Sequence, residues 1–426
     1  MTWIKSLLLC ALCSLALAQS QHQEPSIPLP EQGAQLVVWS IAPGIENLRQ
    51  QFEKRFNLPV QARTFANGAE LYKALEQALN RGEAVPDVAR VEYAFLPWLN
   101  RTRGLLTMPD SLREYFAPWA VAQCSSFGVM TAIPQDIGAL TYIYQRNIFE
   151  RYKLTAPRTW SELQKTAASL YSQSKGQVKL LNFDPSSLFF AALVWAQGGR
   201  FWTQEQNGYI QTLDTPISRA AMSFWGGLIR QKQVSALPEY SLEYWNALRS
   251  GRLASAIVPT WALAAMVQNL EPAIAKGAEF QMVPLPSAGR ASSANWGGSS
   301  FVVSKFSKYP NAATAFALYS STSAEAITEM WTSEARLPAM NSGFNLPELA
   351  TQSTIVFAEN PVEIYAAASS QIPERFDFAP WLPAVDAVYR KLFMAALENR
   401  ISFGQIPTLW QTQTLELARR SGFTVR

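Results

Sequence analysis

Hydrophobic residues follow two different periods near the start of the chain. Residues 35–40 (QLVVWS) form a short apolar run that is typical of a buried strand. Large apolar residues then recur at the spacing of one helix face, at Ile45, Leu48 and Phe52. Another apolar run covers residues 58–65. The pattern therefore predicts a strand, a helix and a second strand in succession.

The next segment repeats this order. Asn67 and Glu70 have the spacing of a helix cap, and leucines follow at every fourth position from Leu71 to Leu79. Residues 85–91 (VPDVARV) are typical of a third strand. Strands that alternate with helices in this way form a parallel sheet whose connections are helical. We therefore expect the chain to begin with an α/β unit.

A short break separates two apolar runs about a third of the way along the chain. Ile133 ends the first run and residues 139–144 form the second, with Pro134, Asp136 and Gly138 between them. Proline and glycine interrupt regular structure, and an aspartate is out of place between two buried strands. The two apolar runs are therefore two separate segments rather than one continuous strand.

Beyond the break, capping residues and apolar runs alternate again. Three helices are expected to begin at side chains that cap helix N-termini, namely Thr159, Thr215 and Ser241. Three further strands are expected at residues 253–258, 280–286 and 295–304. Helical periodicity dominates from residue 309 onward, with an interruption at residues 336–338. The second part of the chain is therefore also predicted to be α/β.

The N-terminus has the pattern of a secretory signal peptide. Lys5 precedes an apolar stretch over residues 7–17, and small residues in an A-x-A arrangement end at Ala18. The apolar stretch is shorter than the roughly 20 residues that span a bilayer, so we expect cleavage after Ala18. Residues 1–18 are therefore predicted to be a signal peptide, and residues 19–33, with three prolines, a flexible leader.

Composition limits the chemistry that the chain can perform. The only histidine is His22, in the predicted leader. Catalytic triads that need a histidine and histidine-ligated zinc sites in the core are therefore excluded, whereas carboxylate chemistry stays open. Cys124 is the only cysteine beyond the signal peptide, so we expect no intramolecular disulfide. We predict no catalytic residue, no metal site and no cofactor.

Charge and length narrow the class of protein further. The formal net charge is +4, and the lysines and arginines are scattered rather than clustered. A nucleic-acid surface normally concentrates basic residues, so we expect no nucleic-acid partner. A chain of 426 residues with 48% hydrophobic content has the material for two or three large domains, each with its own core.

Four segments have a more specific pattern. They are IPQDIGALTYIYQRNIFERYKLTAPRTWSEL (133–163), GRLASAIVPTWALAAM (251–266), NWGGSSFVVSKFSK (295–308) and ARLPAMNS (335–342). Together and in this order, they resemble motifs of the family 1 extracellular solute-binding proteins. That family includes maltose-binding protein and other sugar-capturing subunits of ABC importers.

The resemblance implies an α/β, two-lobed periplasmic-binding-protein fold of type II. Each lobe would be an α/β sheet between helices, and the chain would cross between the lobes three times. Lobe 1 would contain residues 34–135 and 285–335, and lobe 2 residues 136–284 and 336–426. The hinge residues implied at the crossings are Pro134, Gly138, Pro284 and Arg336. Proline would stiffen the first crossing, and Gly138 would give it dihedral freedom.

Candidate binding residues follow from a rule about such sheets. Ligands of open α/β sheets bind beyond the carboxyl ends of the strands, and here the second lobe would cover them. This rule selects Trp39, Ser40, Glu92, Tyr93, Asp136, Trp261, Trp296, Gly297 and Gly298. Indole and phenol rings suit the apolar face of a pyranose, and carboxylates bind its hydroxyls. Each tryptophan has the alternative of packing in the core, and Asp136 that of capping a hinge loop.

The function implied by the resemblance is capture without catalysis. A monomeric periplasmic substrate-binding protein would close its hinge on a sugar or an oligosaccharide and deliver it to inner-membrane ABC permease subunits. Two alternatives stay open. One is a binding protein for a non-sugar solute such as a polyamine, glycerol phosphate or iron. The other is a secreted glycosidase that uses a carboxylate pair, for which Glu92 and Asp136 are candidates.

Overall fold

The structure is a computed structural model that describes residues 22–41, 44–206, 208–287, 293–351 and 360–426. The predicted signal peptide lies outside these residues. The strands of the described ranges are β1 Leu36–Ser40, β2 Val60–Thr64, β3 Val88–Glu92, β4 Ser125–Ser126, β5 Val129–Met130, β6 Ile133–Pro134, β7 Leu140–Gln145, β8 Trp202–Glu205, β9 Gly208–Gln211, β10 Ser255–Pro259, β11 Phe280–Pro284 and β12 Ser299–Val303.

Helices surround these strands. The α-helices of the described ranges are Ile45–Phe56, Gly68–Arg81, Leu96–Asn100, Pro118–Gln123, Arg146–Arg151, Trp160–Gln173, Ser187–Trp195, Pro216–Arg230, Leu242–Arg249, Leu263–Ile274, Pro310–Thr322, Ala324–Glu334, Pro347–Thr351, Pro361–Ser370, Leu382–Leu397 and Ile406–Arg420. Short 3-10 helices cover Tyr93–Phe95, Asp110–Tyr115, Thr260–Ala262, Asn341–Asn345 and Phe403–Gln405. Within the residues that the structure describes, no helix has the length and apolarity needed to cross a membrane.

The predicted helix starts are confirmed by hydrogen bonds at their caps. The side chains of Asn67, Thr159, Thr215 and Ser241 each accept a hydrogen bond from the backbone N–H three residues further on, at 3.0–3.2 Å. Such a bond satisfies one of the N–H groups that a helix leaves without a partner at its N-terminus. Local sequence therefore determines where these four helices begin.

Five strands form the first sheet, in the order β2-β1-β3-β12-β6. β1 pairs in parallel with both β2 and β3, as the alternation of strands and helices predicts. β12 is antiparallel to its neighbours, with Ser299 opposite Glu92 of β3 and Ser300 opposite Pro134 of β6. The first sheet is thus assembled from three distant parts of the chain, which requires the chain to leave it and return.

Three antiparallel strands form the second sheet. β7 is the central strand, and β10 and β11 pair with it on either side. The strands predicted at residues 253–258 and 280–286 are therefore confirmed, with bounds that differ by one or two residues. The helix Pro361–Ser370 packs against β7 and β11. Two sheets, each covered by helices, give the two-lobed α/β fold that the sequence predicts.

The two sheets are joined by three chain segments that lie side by side. The first segment runs from β6 to β7, the second from β11 to β12, and the third follows the helix Ala324–Glu334. Asp136 of the first forms a β-bridge with Pro338 of the third, and Ala139 forms one with Asn295 of the second. The three crossings therefore share backbone contacts at one place between the sheets.

Two residues predicted as hinges have roles that differ from the prediction. Pro284 is the last residue of β11 and pairs with Thr141, and Asn295, further along, forms a β-bridge with Ala139 of the first crossing. A proline fits there because an edge strand has one unpaired side. Gly138 lies at the first crossing, but its φ is not positive. Glycine is required for space, since a Cβ would lie 2.1 Å from the carbonyl oxygen of Trp296.

Residues 22–33 lie against the first lobe, although the sequence predicts a flexible leader there. The Glu24 carboxylate accepts a hydrogen bond of 3.0 Å from the backbone N–H of Ala324, at the start of a helix. The Glu31 carboxylate accepts one of 2.8 Å from Ala312, also in the first turn of a helix. Negative charge is stabilised at helix N-termini, so these two acidic residues anchor the segment.

Residues 339–351 also lie against the first lobe, although the predicted boundary assigns them to the second. Met340 forms a β-bridge with Phe116. The helix Pro347–Thr351 packs against the helix Ala324–Glu334. These contacts show that the chain runs along the first lobe after it passes Arg336. The lobe boundaries stay predictions.

Candidate functional site

A cavity of about 340 Å³ lies between the two sheets. Glu92 reaches it from the carboxyl end of β3, and Trp261 reaches it from the 3-10 helix that follows β10. This is the position in which open α/β sheets bind ligands. The volume is at the lower end of the range of roughly 300–1,000 Å³ found for small-molecule sites.

Five of the predicted binding residues line this cavity: Glu92, Trp261, Trp296, Gly297 and Gly298. They come from three separate places in the sequence, namely the end of β3, the turn after β10 and the segment that enters β12. The chain crossings bring these places together. Arg336, which the sequence predicts as a hinge residue, also lines the cavity.

Aromatic rings form one wall of the cavity. The indoles of Trp261 and Trp296 have their ring centroids 5.7 Å apart and stand edge to face. Tyr240 packs its ring against Trp261 at 5.4 Å and lies nearly parallel to Trp296 at 6.5 Å. The Trp261 indole N–H donates a hydrogen bond of 2.6 Å to the backbone carbonyl of Trp296. The wall is thus an ordered surface that can cover an apolar face of a ligand.

Two consecutive glycines allow the backbone to pass close to this wall. Gly297 and Gly298 have φ values of 79° and 77°, in the left-handed region that favours glycine. A Cβ on Gly297 would lie 2.6 Å from Nε1 of Trp261, and one on Gly298 would lie 2.8 Å from the Tyr93 ring. Both conformation and space therefore require glycine at these positions.

The floor of the cavity is a network of charged groups. Asp136 Oδ1 accepts a hydrogen bond of 2.7 Å from the Ser299 N–H, and its Oδ2 accepts one of 3.1 Å from Arg336 Nη1. Arg336 Nε is 3.0 Å from Glu334 Oε2. Arg90 Nε donates to Ser299 Oγ at 3.1 Å, and its Nη1 lies 3.7 Å from Glu334 Oε1. Ser299 therefore connects the guanidinium group of Arg90 to the Asp136 carboxylate, and the Glu334 carboxylate lies near both Arg90 and Arg336.

Two further carboxyl groups face the cavity with altered acidity. Burial raises the pKa of Glu92 to about 7, with the Arg336 charge opposing the rise and the Asp136 charge adding to it. Burial also raises the pKa of Asp184, while a hydrogen bond of 2.7 Å from the Ser186 N–H acts in the opposite direction. In its protonated form, Glu92 can donate a hydrogen bond as well as accept one, which an ionised carboxylate cannot do.

The structure does not bring the other four predicted binding residues to the cavity wall. Trp39 and Ser40 end β1 as buried residues, and Trp39 packs on Phe65 with the ring centroids 5.1 Å apart. Tyr93 is buried and donates its hydroxyl to the backbone carbonyl of Asp136 at 3.0 Å. The Asp136 carboxylate is fully buried in the network of the floor. Packing and internal hydrogen bonds occupy these side chains.

Besides Ser299 at the start of β12, five polar residues of the cavity wall escape the sequence analysis: Arg90, Asp184, Ser186, Tyr240 and Arg390. Arg90 could have been found, because it is a charged residue in the middle of an apolar strand, and such a residue needs a partner. The other four lie on loops and a helix of the second lobe. Only the three-dimensional arrangement of that lobe brings them to the cavity, so no local pattern indicates them.

A second cavity, of about 360 Å³, has a different character. Its wall combines arginines with acidic residues, among them Arg113, Arg200, Asp377 and Glu205, and contains no tryptophan. Within the residues that the structure describes, no group of three or more His, Cys, Asp or Glu side chains could hold a metal ion. The cavity between Glu92 and Trp261 is therefore the candidate site for a small ligand.

A protein-family model matches most of this chain. Residues 41–326 match the family described as bacterial extracellular solute-binding protein. The chain is 24% identical over 273 residues to the arabinooligosaccharide-binding protein of Halalkalibacterium halodurans, and 21% identical over 272 residues to that of Bacillus subtilis. The matched segments cover 62% of this chain in both cases. They span 60% and 62% of the length of the two relatives.

Solved structures show the same fold. The galacto-N-biose-/lacto-N-biose I-binding protein of Bifidobacterium longum, in complex with lacto-N-biose, superimposes with a TM-score of 0.79 at 20% identity, over 95% of this chain and 100% of that one. An ABC-transporter-associated binding protein of B. animalis subsp. lactis, in complex with β-1,6-galactobiose, gives a TM-score of 0.77 at 21% identity, over 92% and 99%. These similarities establish a shared two-lobed α/β fold.

Proposed function

Because this chain belongs to the bacterial extracellular solute-binding proteins, we propose that it captures a carbohydrate, a sugar or an oligosaccharide, in the cavity between its lobes. In this proposal it is the substrate-binding protein of an ABC importer and delivers its ligand to permease subunits in the inner membrane. It acts as a monomer in the periplasm, after a signal peptide has been removed at Ala18, and it performs no chemistry.

The composition of the cavity wall carries this proposal. An edge-to-face pair of indoles, Trp261 and Trp296, lies in the same small cavity as Glu92, Asp184 and Arg390. A pyranose presents an apolar C–H face that a ring can cover, and hydroxyl groups that need charged or polar partners. A wall with both kinds of group is suited to a saccharide. The wall of the second cavity contains no such pair of indoles.

The similar proteins support the same class of ligand. Two of them are named arabinooligosaccharide-binding proteins, and two solved neighbours hold lacto-N-biose and β-1,6-galactobiose. The ligands named for these proteins are all carbohydrates, but they are not the same sugar. The proposal therefore names the class of ligand and leaves the individual saccharide to experiment.

Hinge closure is the mechanism that the crossings favour. Three adjacent segments connect the lobes, with Pro134 and Gly138 at the first of them and Arg336 in the third. Segments that lie side by side permit one rotation and resist others. A ligand that contacts both lobes stabilises the closed form, because it gains those contacts only there. The permease would then recognise the closed form through both lobes.

A thermal-shift screen tests the proposed ligand class. The mature protein would be melted with maltose, arabinotriose, lacto-N-biose and β-1,6-galactobiose, and the saccharides that raise the melting temperature would be titrated by calorimetry. A ligand at about 100 times its dissociation constant stabilises the native state by roughly 2.7 kcal/mol. We expect a shift with at least one saccharide and no hydrolysis products by chromatography.

The two alternatives give different results in the same screen. Spermidine, glycerol 3-phosphate and ferric citrate represent the non-sugar solutes. A shift with one of these, and with no saccharide in a broad panel, would replace carbohydrate by that solute. Cleavage of a saccharide at an appreciable rate would instead support a glycosidase. Small-angle X-ray scattering with a tight ligand would show whether the molecule becomes more compact on binding.

A further inference from the structure

One guanidinium group at the cavity is only partly satisfied. Arg90 is 2% exposed and lines the cavity from β3. Its Nε bonds to Ser299, but Nη1 and Nη2 have no hydrogen-bond partner among the residues that the structure describes. The nearest carboxylate oxygen, of Glu334, is 3.7 Å from Nη1, which is too long for a hydrogen bond. Buried donors without acceptors are costly, so an acceptor is expected in the cavity.

A residue that lines the cavity from the other lobe also carries a buried donor without a partner. The Tyr240 hydroxyl has no hydrogen-bond partner among the described residues, although its ring is fixed against Trp261 and Trp296. Tyr240 lies just before the helix Leu242–Arg249 of the second lobe. Arg90 and Tyr240 thus line one cavity from two lobes, and each carries buried polar atoms without a partner.

The charges around Arg90 favour an uncharged acceptor. In the floor network, the two guanidinium groups of Arg90 and Arg336 are balanced by the carboxylates of Asp136 and Glu334. Glu92 and Asp184 add further acidic groups to the same wall, and the guanidinium of Arg390 in that wall is paired with the Asp386 carboxylate. A ligand carboxylate would therefore enter a site with no surplus positive charge and would be repelled. Hydroxyl oxygens accept hydrogen bonds without that cost.

We propose that Arg90 and Tyr240 bind the ligand from opposite lobes, with Arg90 Nη1 and Nη2 donating to two neighbouring uncharged hydroxyls of a saccharide. The planar fork of a guanidinium matches two adjacent oxygens, as it does in carboxylate recognition. The site is accordingly specific for neutral saccharides and discriminates against uronates. This inference rests on the proposed function, since it assumes a carbohydrate in the cavity.

The test measures affinities by calorimetry for the wild type and for Arg90→Gln and Tyr240→Phe. The probes are maltose, arabinotriose, lacto-N-biose and β-1,6-galactobiose, together with the C6-carboxylate analogue of each hexose disaccharide that binds. We expect Arg90→Gln to weaken binding about ten- to a hundredfold, the loss of hydrogen bonds from a charged donor. Tyr240→Phe should weaken it about threefold to tenfold, and Tyr115→Phe, outside the cavity wall, should have no effect.

The outcomes separate this inference from the proposed function. If no saccharide binds the wild type, the proposed function fails and this inference fails with it. If a neutral saccharide binds but a folded Arg90→Gln variant binds it equally well, only the role of Arg90 is refuted. If the carboxylate analogue binds as tightly as its neutral parent, the specificity is refuted. If Arg90→Gln does not fold, two measurements still test the inference. They are the affinity of the Tyr240→Phe variant and the comparison of neutral and acidic saccharides on the wild type.

Discussion

The indole N–H of Trp261 donates a hydrogen bond to the backbone carbonyl of Trp296, at 2.6 Å. Trp261 follows β10 of the second sheet, and Trp296 lies in the segment that carries the chain into β12 of the first. The bond therefore ties the aromatic wall of the cavity to one of the three crossings between the lobes. A movement of that crossing on hinge rotation changes the position of the wall as well.

Substitutions at Trp261 should reduce the affinity for ligand more than they reduce the stability of the fold. Trp261 is only partly buried, so its removal leaves a small cavity in the core. Trp261→Ala should reduce saccharide affinity at least about tenfold, or roughly 1.4 kcal/mol, because a covering ring is lost. Trp261→Phe should have an intermediate effect, since it retains a ring and loses the N–H. Affinity is measured by calorimetry and stability by urea unfolding.

Trp98→Phe is a matched control for these variants. Trp98 is also partly buried and also uses its indole N–H, in a bond of 2.8 Å to the Glu76 carboxylate. It lies outside the cavity wall. Its substitution should therefore leave affinity unchanged. Trp261 belongs to the core instead if Trp261→Ala destabilises the ligand-free protein by as much free energy as it removes from ligand binding.

Asp136 should stabilise the crossing without contacting the ligand. Its carboxylate is fully buried, accepts the Ser299 N–H and pairs with Arg336. Asp136→Asn keeps the size of the side chain but removes the charge that Arg336 needs. Because a buried pair is broken at one partner, we expect a loss of about 2–4 kcal/mol in the free energy of unfolding. Urea unfolding measures this loss, and calorimetry should show a much smaller change in affinity. The reverse pattern would make Asp136 a ligand contact.

The titration of Glu92 predicts how stability depends on pH. Its pKa rises from the usual 4.5 to about 7 in the native state. Between these values the native protein binds more protons than the unfolded chain, so stability falls as pH rises. The contribution is fully present below about pH 4.5 and is lost above about pH 7, an effect of up to about 3 kcal/mol.

Glu92→Gln isolates this effect, because glutamine stays neutral at every pH. The variant should lack the decline that the wild type shows between about pH 4.5 and pH 7, and the two stability curves should diverge most above pH 7. Glu114→Gln, at an exposed position, controls for the general effect of removing one carboxylate. Parallel curves for the wild type and Glu92→Gln would mean that Glu92 titrates normally. Stability at each pH would come from urea unfolding.

Much of the fold could be predicted because it follows from local patterns. Asn67, Thr159 and Ser241 each cap the helix that they were expected to begin, since the cap requires only nearby residues. The parallel pairing of β1 with β2 and β3 follows from the helices between them. The second crossing was placed too early, at Pro284, because the apolar run 280–286 has the same pattern whether it crosses or stays in a sheet.

The site was harder to predict than the fold. The rule of strand ends selected Glu92 and Trp261 correctly as residues of the cavity wall, because both follow strands whose ends meet there. The same rule selected Trp39, which ends a neighbouring strand but packs on Phe65 instead. Strand position does not tell which way a side chain faces. Tyr240 lies on no strand, and only packing in the second lobe brings it to the cavity.

Gly138 offers a test of how the hinge is coupled to the cavity. The Trp296 carbonyl oxygen accepts the Trp261 N–H, and a Cβ on Gly138 would lie 2.1 Å from the same oxygen. Gly138→Ala must therefore displace this carbonyl. We expect a loss of about 1–3 kcal/mol in the free energy of unfolding, the usual cost of overpacking, together with weaker saccharide binding. Urea unfolding and calorimetry measure the two effects.

Gly227→Ala is the matched control for this substitution. Gly227 lies inside the helix Pro216–Arg230, and a Cβ there would meet no atom within 4 Å. The same chemical change should stabilise the protein by about 0.5–1 kcal/mol, because alanine loses less backbone entropy in a helix. Affinity should not change. If the two variants change the free energy of unfolding in opposite directions, the crossing requires space at the Trp296 carbonyl rather than the flexibility of glycine. If both changes are small and equal, the crossing tolerates a side chain, and the position of Trp261 does not depend on it.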